Sequence, residues 1–142
     1  MRYPLLAVLA ASSLTVTAQA QEYIRYQGAW SGPFLFYVAQ PDTGTQGSPE
    51  VFAGTLQIEI DGAVRGAVPD AACTLAGSSM DYITPANASI DLVASGCRDA
   101  RFNGHFVGKL ILNPQLRYAS IRLSSMRSLD AGTAQISAII RH

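Results

Sequence analysis

Apolar residues recur at every second position along most of this chain, and no segment carries a convincing helical period. The clearest run is Val51 to Ile60. Phe52, Gly54, Leu56, Ile58 and Ile60 share one face there, and Thr55, Gln57 and Glu59 the other. Successive side chains of a strand point to opposite sides, so this pattern describes a β-strand with one face on a core. Asp61-Gly62 follows, a dipeptide suited to a two-residue type I′ hairpin in which both central residues take positive φ. The return strand, Ala63 to Val68, turns Val64 and Val68 inward and Arg65 outward.

The same alternation organises the rest. Tyr23 to Trp30 and Phe34 to Ala39 flank a break at Ser31-Gly32-Pro33, and the polar stretch from Gln40 to Glu50 reads as a loop. Two more strands carry Cys73, Leu75, Gly77 and Ala88, Ile90, Leu92, Ala94, with a loop from Ser78 to Asn87 between them. Arg101 to Leu112 reads as one long strand. It sets Phe102, Gly104, Phe106, Gly108, Leu110 and Leu112 against Arg101, Asn103, His105, Val107, Lys109 and Ile111. Leu116 to Leu123, a Ser/Arg-rich loop from Ser124 to Asp130, and a strand near Thr133 to Arg141 complete eight or nine strands. Phe-x-Gly opens two of the runs (Phe52-Ala53-Gly54 and Phe102-Asn103-Gly104), and glycine inside a strand marks a bulge or the bend of a closing sheet. The expected fold is all-β: a single small antiparallel up-and-down β-barrel of about eight strands, which leaves no sheet edge exposed. A two-sheet β-sandwich is the alternative.

The N-terminus reads as an export signal. Arg2 is followed by an apolar core from Pro4 to Ala11, extended through Leu14 and Val16, and Ala18-Gln19-Ala20 offers a small-x-small cleavage site. Ser12, Ser13, Thr15 and Thr17 dilute that core, which is too short to span a bilayer. Residues 1–20 are therefore expected to be a signal peptide cleaved after Ala20, leaving 21–142 as one domain. Lys109 is the sole lysine beside nine arginines, a usage suggesting a GC-rich bacterial genome and hence a periplasmic or secreted protein. Cys73 and Cys97 are the only cysteines, and an even count in an oxidising compartment reads as one disulfide. With the connection centred near Pro85, paired residues sum to 170, which sets Cys73 opposite Cys97. Two Cys and two His fall short of a metal-ligand set, so neither metal nor cofactor is expected.

Gly28-Ala29-Trp30 resembles the Gly-x-Trp of the first strand in lipocalins and avidin-like barrels. The resemblance covers three residues. It implies that Trp30 plugs one barrel end, against a late arginine such as Arg122 or Arg141. Charge supplies a separate lead: residues 21–96 hold two arginines against eight acids, while 97–142 hold seven basic residues against two acids. In a meander this makes one wall acidic and the other basic. Arg101, His105 and Lys109 recur every fourth residue on one face, and Arg117 and Arg122 are placed to join them as a partner-binding surface. Met80, Tyr82 and Ile83 put apolar side chains into a predicted loop and read as a lid or a recognition patch. Asn87-Ala88-Ser89 fits a glycosylation sequon, which a bacterial host would leave unused.

No nucleophile elbow or singled-out carboxylate pair is present, so no enzymatic activity is expected. A net charge near zero in an exported chain argues against nucleic-acid binding. The expected function is that of an exported, non-catalytic barrel binding a protein or other anionic partner, in the manner of an inhibitor or immunity factor. The alternative is a periplasmic carrier of an apolar small molecule. Large inward residues such as Phe34, Phe36, Phe52, Phe102 and Phe106 favour a filled barrel, and with it the first reading.

Overall fold

Eight strands form where the alternation is strongest: β1 (Gly28–Ala39), β2 (Glu50–Ile58), β3 (Ala63–Val68), β4 (Cys73–Asp81), β5 (Asn87–Ser95), β6 (Gly104–Asn113), β7 (Tyr118–Leu129) and β8 (Gly132–Ile140). The structure, a computed structural model, describes residues 26–40, 47–81, 87–113, 115 and 117–142. The export segment, its cleavage site and the loop residues Tyr82 and Ile83 lie outside the described residues. Every strand pairs antiparallel with its neighbours in sequence, and β1 closes on β8 with Phe34 opposite Ala138. Closure replaces the sandwich alternative with a barrel.

Several local expectations give way, each for a physical reason. Ser31-Gly32-Pro33 does not break the first strand, because β2 pairs with it without interruption from Gly28 to Phe36. The segment marks a weak point in the opposite seam instead. Ser31 and Arg141 exchange backbone hydrogen bonds at 2.8 and 2.9 Å, and the β8 ladder resumes only at Phe34. Pro33 has no N–H to donate between them.

The β2–β3 hairpin has three loop residues, not two. Glu59 N–H donates to Ala63 O at 2.8 Å, Gly62 N–H donates to Glu59 O at 3.0 Å, and only Gly62 takes a positive φ, 89°. The Asp61 carboxylate accepts from Ala63 N–H at 2.9 Å, an Asx turn that outweighs the type I′ geometry. Ile60 is left exposed as a result.

Arg101 is not on β6. Residues Ala100–Phe102 form a 3-10 turn that Asp99 caps by accepting from Arg101 N–H. Finally, the Ser/Arg-rich segment is strand. β7 runs on to Leu129, and a register shift between Ser124 and Ser128 accommodates extra residues as a bulge.

The disulfide forms, but not by direct pairing. Thr74 faces Ser95, so partners in β4 and β5 sum to one less than expected, and Cys97 lies beyond the ladder. Gly96, at φ 70°, turns the chain back so that Cys97 reaches Cys73 with the Cα atoms 4.1 Å apart.

Candidate functional site

The barrel axis is filled. Trp30 and Leu56 are 2% exposed, Phe34 and Ile121 1%, and Phe106 and Leu110 0%. A void that admitted water would leave accessible area on the side chains around it, and these have almost none. No polar or charged side chain among the described residues is buried, so the interior offers nothing to orient a polar ligand.

The expected basic wall is dispersed. Arg101 sits in the turn before β6, where its guanidinium meets the Asp99 carboxylate at 2.7 Å. That hydrogen bond holds the Asp99 carboxyl below its ordinary range, against a smaller opposing push from burial, and raises Arg101 above its own. His105 does face outward from β6, but its Nε2 meets Asp91 Oδ1 on β5. Arg117 occupies the β6–β7 turn, at the other end of the barrel from Arg101, with φ 56°.

Only Lys109 and Arg122 come together. They are directly opposite in the β6–β7 ladder, both exposed, and neither has a carboxylate partner among the described residues. The same cross-strand row continues into Ser89 on β5 and Ser137 on β8. Two cations set among short hydroxyl side chains make a local positive spot with no internal neutralisation.

The two ends differ. At one, Trp30 Nε1–H donates to Tyr26 O at 2.9 Å and its ring lies 3.7 Å from that of His142. The residue against Trp30 is thus His142, not an arginine: Arg141 lies over Tyr118 at 5.8 Å and Arg122 is exposed on the wall. Met80 lies on β4 at the same end, paired with Ser89 of β5, and is 71% exposed.

At the other end the loop from Gly96 to Asn103 is tied down from several directions. Beyond the disulfide, Arg98 N–H donates to Ala71 O at 2.9 Å and Cys97 N–H to Asn103 Oδ1 at 2.9 Å. The Arg127 guanidinium, on the β7 bulge, reaches Ala100 O at 3.3 Å and Asn103 O at 3.4 Å. An open cleft of about 230 Å³ lies here, lined by Phe36, Phe52, Phe102, the disulfide, Glu50 and Arg98 among others. From sequence the two cysteines are expected only as a structural bridge and the three phenylalanines only as core, and Glu50 and Arg98 carry no expectation as binding residues. The available signal was the repeated Phe-x-Gly, since both of its phenylalanines pack on Phe36 at this mouth. No family model, curated protein or solved structure matches the chain.

Proposed function

We propose that this is an exported, non-catalytic β-barrel that binds an acidic protein partner through the outer wall of β6 and β7. The observation that carries the reading is the Lys109–Arg122 pair. Like charges placed directly across a strand pair destabilise a sheet, by roughly 0.2–1 kcal/mol. A carboxylate supplied from outside would relieve that repulsion and gain two charge-assisted hydrogen bonds. The filled axis weighs against the alternative of an apolar molecule carried inside the barrel.

Arg65, Asp91, His105, Lys109 and Arg122 on the outer face, around an apolar interior, are the inverse of a membrane barrel's arrangement. Among the described residues no helix is long and apolar enough to cross a membrane. The first feature favours an aqueous compartment; the second says nothing of a barrel, which crosses with strands.

Reversing both charges, Lys109→Glu with Arg122→Glu, tests the proposal. Wild-type bait should recover from periplasmic extract a protein that elutes with rising salt, and the reversed bait should recover none of it. Equal recovery by the two baits overturns the reading. The single change Lys109→Glu should meanwhile raise unfolding stability by about 0.5 kcal/mol, because it converts a repulsive cross-strand pair into an attractive one.

A further inference from the structure

The cleft beside the disulfide has a floor and a rim of different chemistry. Phe36 is central to the floor. Phe52 lies 5.6 Å from it and Phe102 5.1 Å, with interplanar angles of 74° and 81°. Phe36 and Phe102 are buried, whereas Phe52 is only half-buried and packs on the core from its edge. Ala71 and the Cys73–Cys97 bridge add apolar lining. Glu50, Arg98 and Asp99 make the rim. Asp99 is occupied by Arg101, but Glu50 and Arg98 have no direct ion pair among the described residues.

We propose that this cleft is a binding site for a single aromatic ring bearing a polar substituent, seated on Phe52 with its polar end at Glu50 and Arg98. Three features support the assignment. First, the floor is already an edge-to-face cluster, and one more ring extends it through the same quadrupole interaction, which an aliphatic group of equal size cannot reproduce. Second, the Arg98 guanidinium is free to lie over the face of such a ring or to hydrogen-bond its substituent. Third, the volume of about 230 Å³ is enough to take one ring, and the open mouth leaves the rest of any larger ligand outside.

The wall of the cleft is held in advance by the disulfide, by Arg98 N–H on Ala71 O and by the Arg127 guanidinium on Ala100 O. Little ordering is therefore needed on binding, which keeps the entropic cost low. The cleft does not draw on Lys109 or Arg122, so it stands or falls independently of the wall.

The test uses the whole mature chain, disulfide intact, labelled with fluorophenylalanine and followed by ¹⁹F NMR. The probes are benzamide, cyclohexanecarboxamide and the tripeptide Gly-Phe-Gly. Benzamide should saturate and move the resonances of Phe36, Phe52 and Phe102, leaving Phe34 and Phe106 unmoved. Cyclohexanecarboxamide, with the same polar group on a non-aromatic ring, should bind about threefold or more weakly, the contribution expected of an aromatic pair.

Phe52→Leu keeps an apolar side chain at a half-buried position and should weaken benzamide about fivefold while unfolding stays cooperative. If that variant fails to fold, Arg98→Ala, at an exposed site, should still weaken it. The charge-reversed Lys109/Arg122 variant should bind benzamide as the wild type does. Tighter binding of Gly-Phe-Gly than of benzamide identifies the ring's source as a polypeptide, and the reverse order a free small molecule. Equal affinity for the two carboxamides, or a Phe52→Leu variant that binds benzamide unchanged, overturns the site.

Discussion

The two ends of the barrel face the same problem and solve it by different means. Each must cover the apolar side chains that a filled axis presents to water. At the Trp30 end the cover is non-covalent: a buried indole, its N–H bonded to Tyr26 O, and the His142 ring packed against it at a tilt of 36°. At the Cys73 end the cover is a loop fixed by a covalent bridge and by side-chain hydrogen bonds, with an open cleft left beside it. Clefts remain at both ends, about 140 Å³ beside Tyr26 and Ile58 and about 230 Å³ beside the disulfide, so neither cover is complete. The difference teaches that one end is closed by the volume of a buried indole and the other by a chain segment that a covalent bond holds across it.

The comparison breaks first at Trp30. Trp30→Ala removes the largest side chain in the core and should cost about 3–5 kcal/mol of unfolding free energy, measured by denaturant titration. A loss below about 1 kcal/mol would mean that the indole is not what closes that end. Removing the bridge with Cys73→Ser and Cys97→Ser should cost about 3 kcal/mol, given the 24-residue separation of the two cysteines. That double variant should also lose benzamide binding, whereas Trp30→Phe should retain it. If both variants bound benzamide equally, the loop would not depend on its covalent tie. Smaller again is His142→Ala, which deletes one packed ring and the 3.2 Å contact of its Nδ1 with Ala29 O. About 0.5–1.5 kcal/mol is expected, the range for an aromatic pair, and thermal unfolding would read it as a shift of a few degrees.

The two ends were also unequally legible in the sequence. Alternation at Leu56, Ile58, Ile90 and Leu92 gave the strands and the inward face, because burial of one side of a sheet is a period-two constraint written locally. Closure into a barrel was expected from strand order and in-strand glycines with a sandwich as the alternative, and the β1–β8 pairing decides between them. The place of Trp30 at a barrel end was legible through the resemblance of Gly28-Ala29-Trp30 to the first strand of other barrels, although its neighbour His142 was not, since contact between residues this far apart leaves no periodic trace.

The disulfide mouth was harder. Arg101 sits in phase with His105 and Lys109, and only the Asp99 carboxylate, by capping a 3-10 turn, takes it off the strand. The Cys73–Cys97 pairing was readable from compartment and count, but its register was not, because Gly96 shifts Cys97 past the ladder's end. Likewise Ser124 to Asp130 looks like a loop by composition, while the sheet absorbs its extra residues as a bulge whose Arg127 holds the turn in place. Irregular backbone held by side-chain hydrogen bonds has no period, and so the candidate cleft had none to read.

The smallest effect sharpens the contrast by pH. The disulfide mouth includes a carboxyl with a lowered pKa, that of Asp99 beside Arg101. A carboxyl whose folded pKa is depressed contributes stability that is fully present above its unfolded value, 3.8, and is lost as pH falls through the lower folded value. Both partners are more than a third exposed to solvent, so screening keeps the contribution to a fraction of about 1 kcal/mol. Asp99→Asn keeps a side-chain oxygen to accept from Arg101 N–H but removes the charge. At pH 7 it should therefore unfold slightly more easily than the wild type, and the difference should close at a pH well below 3.8, once the wild-type carboxylate has been neutralised through its lowered folded value. Denaturant titrations at the two pH values read this directly. In a Trp30→Phe background the Asp99→Asn increment should be unchanged at both pH values, because the two substitutions lie at opposite ends and share no partner. Coupling between them would show that the barrel transmits strain along its axis and that its ends are not independent closures.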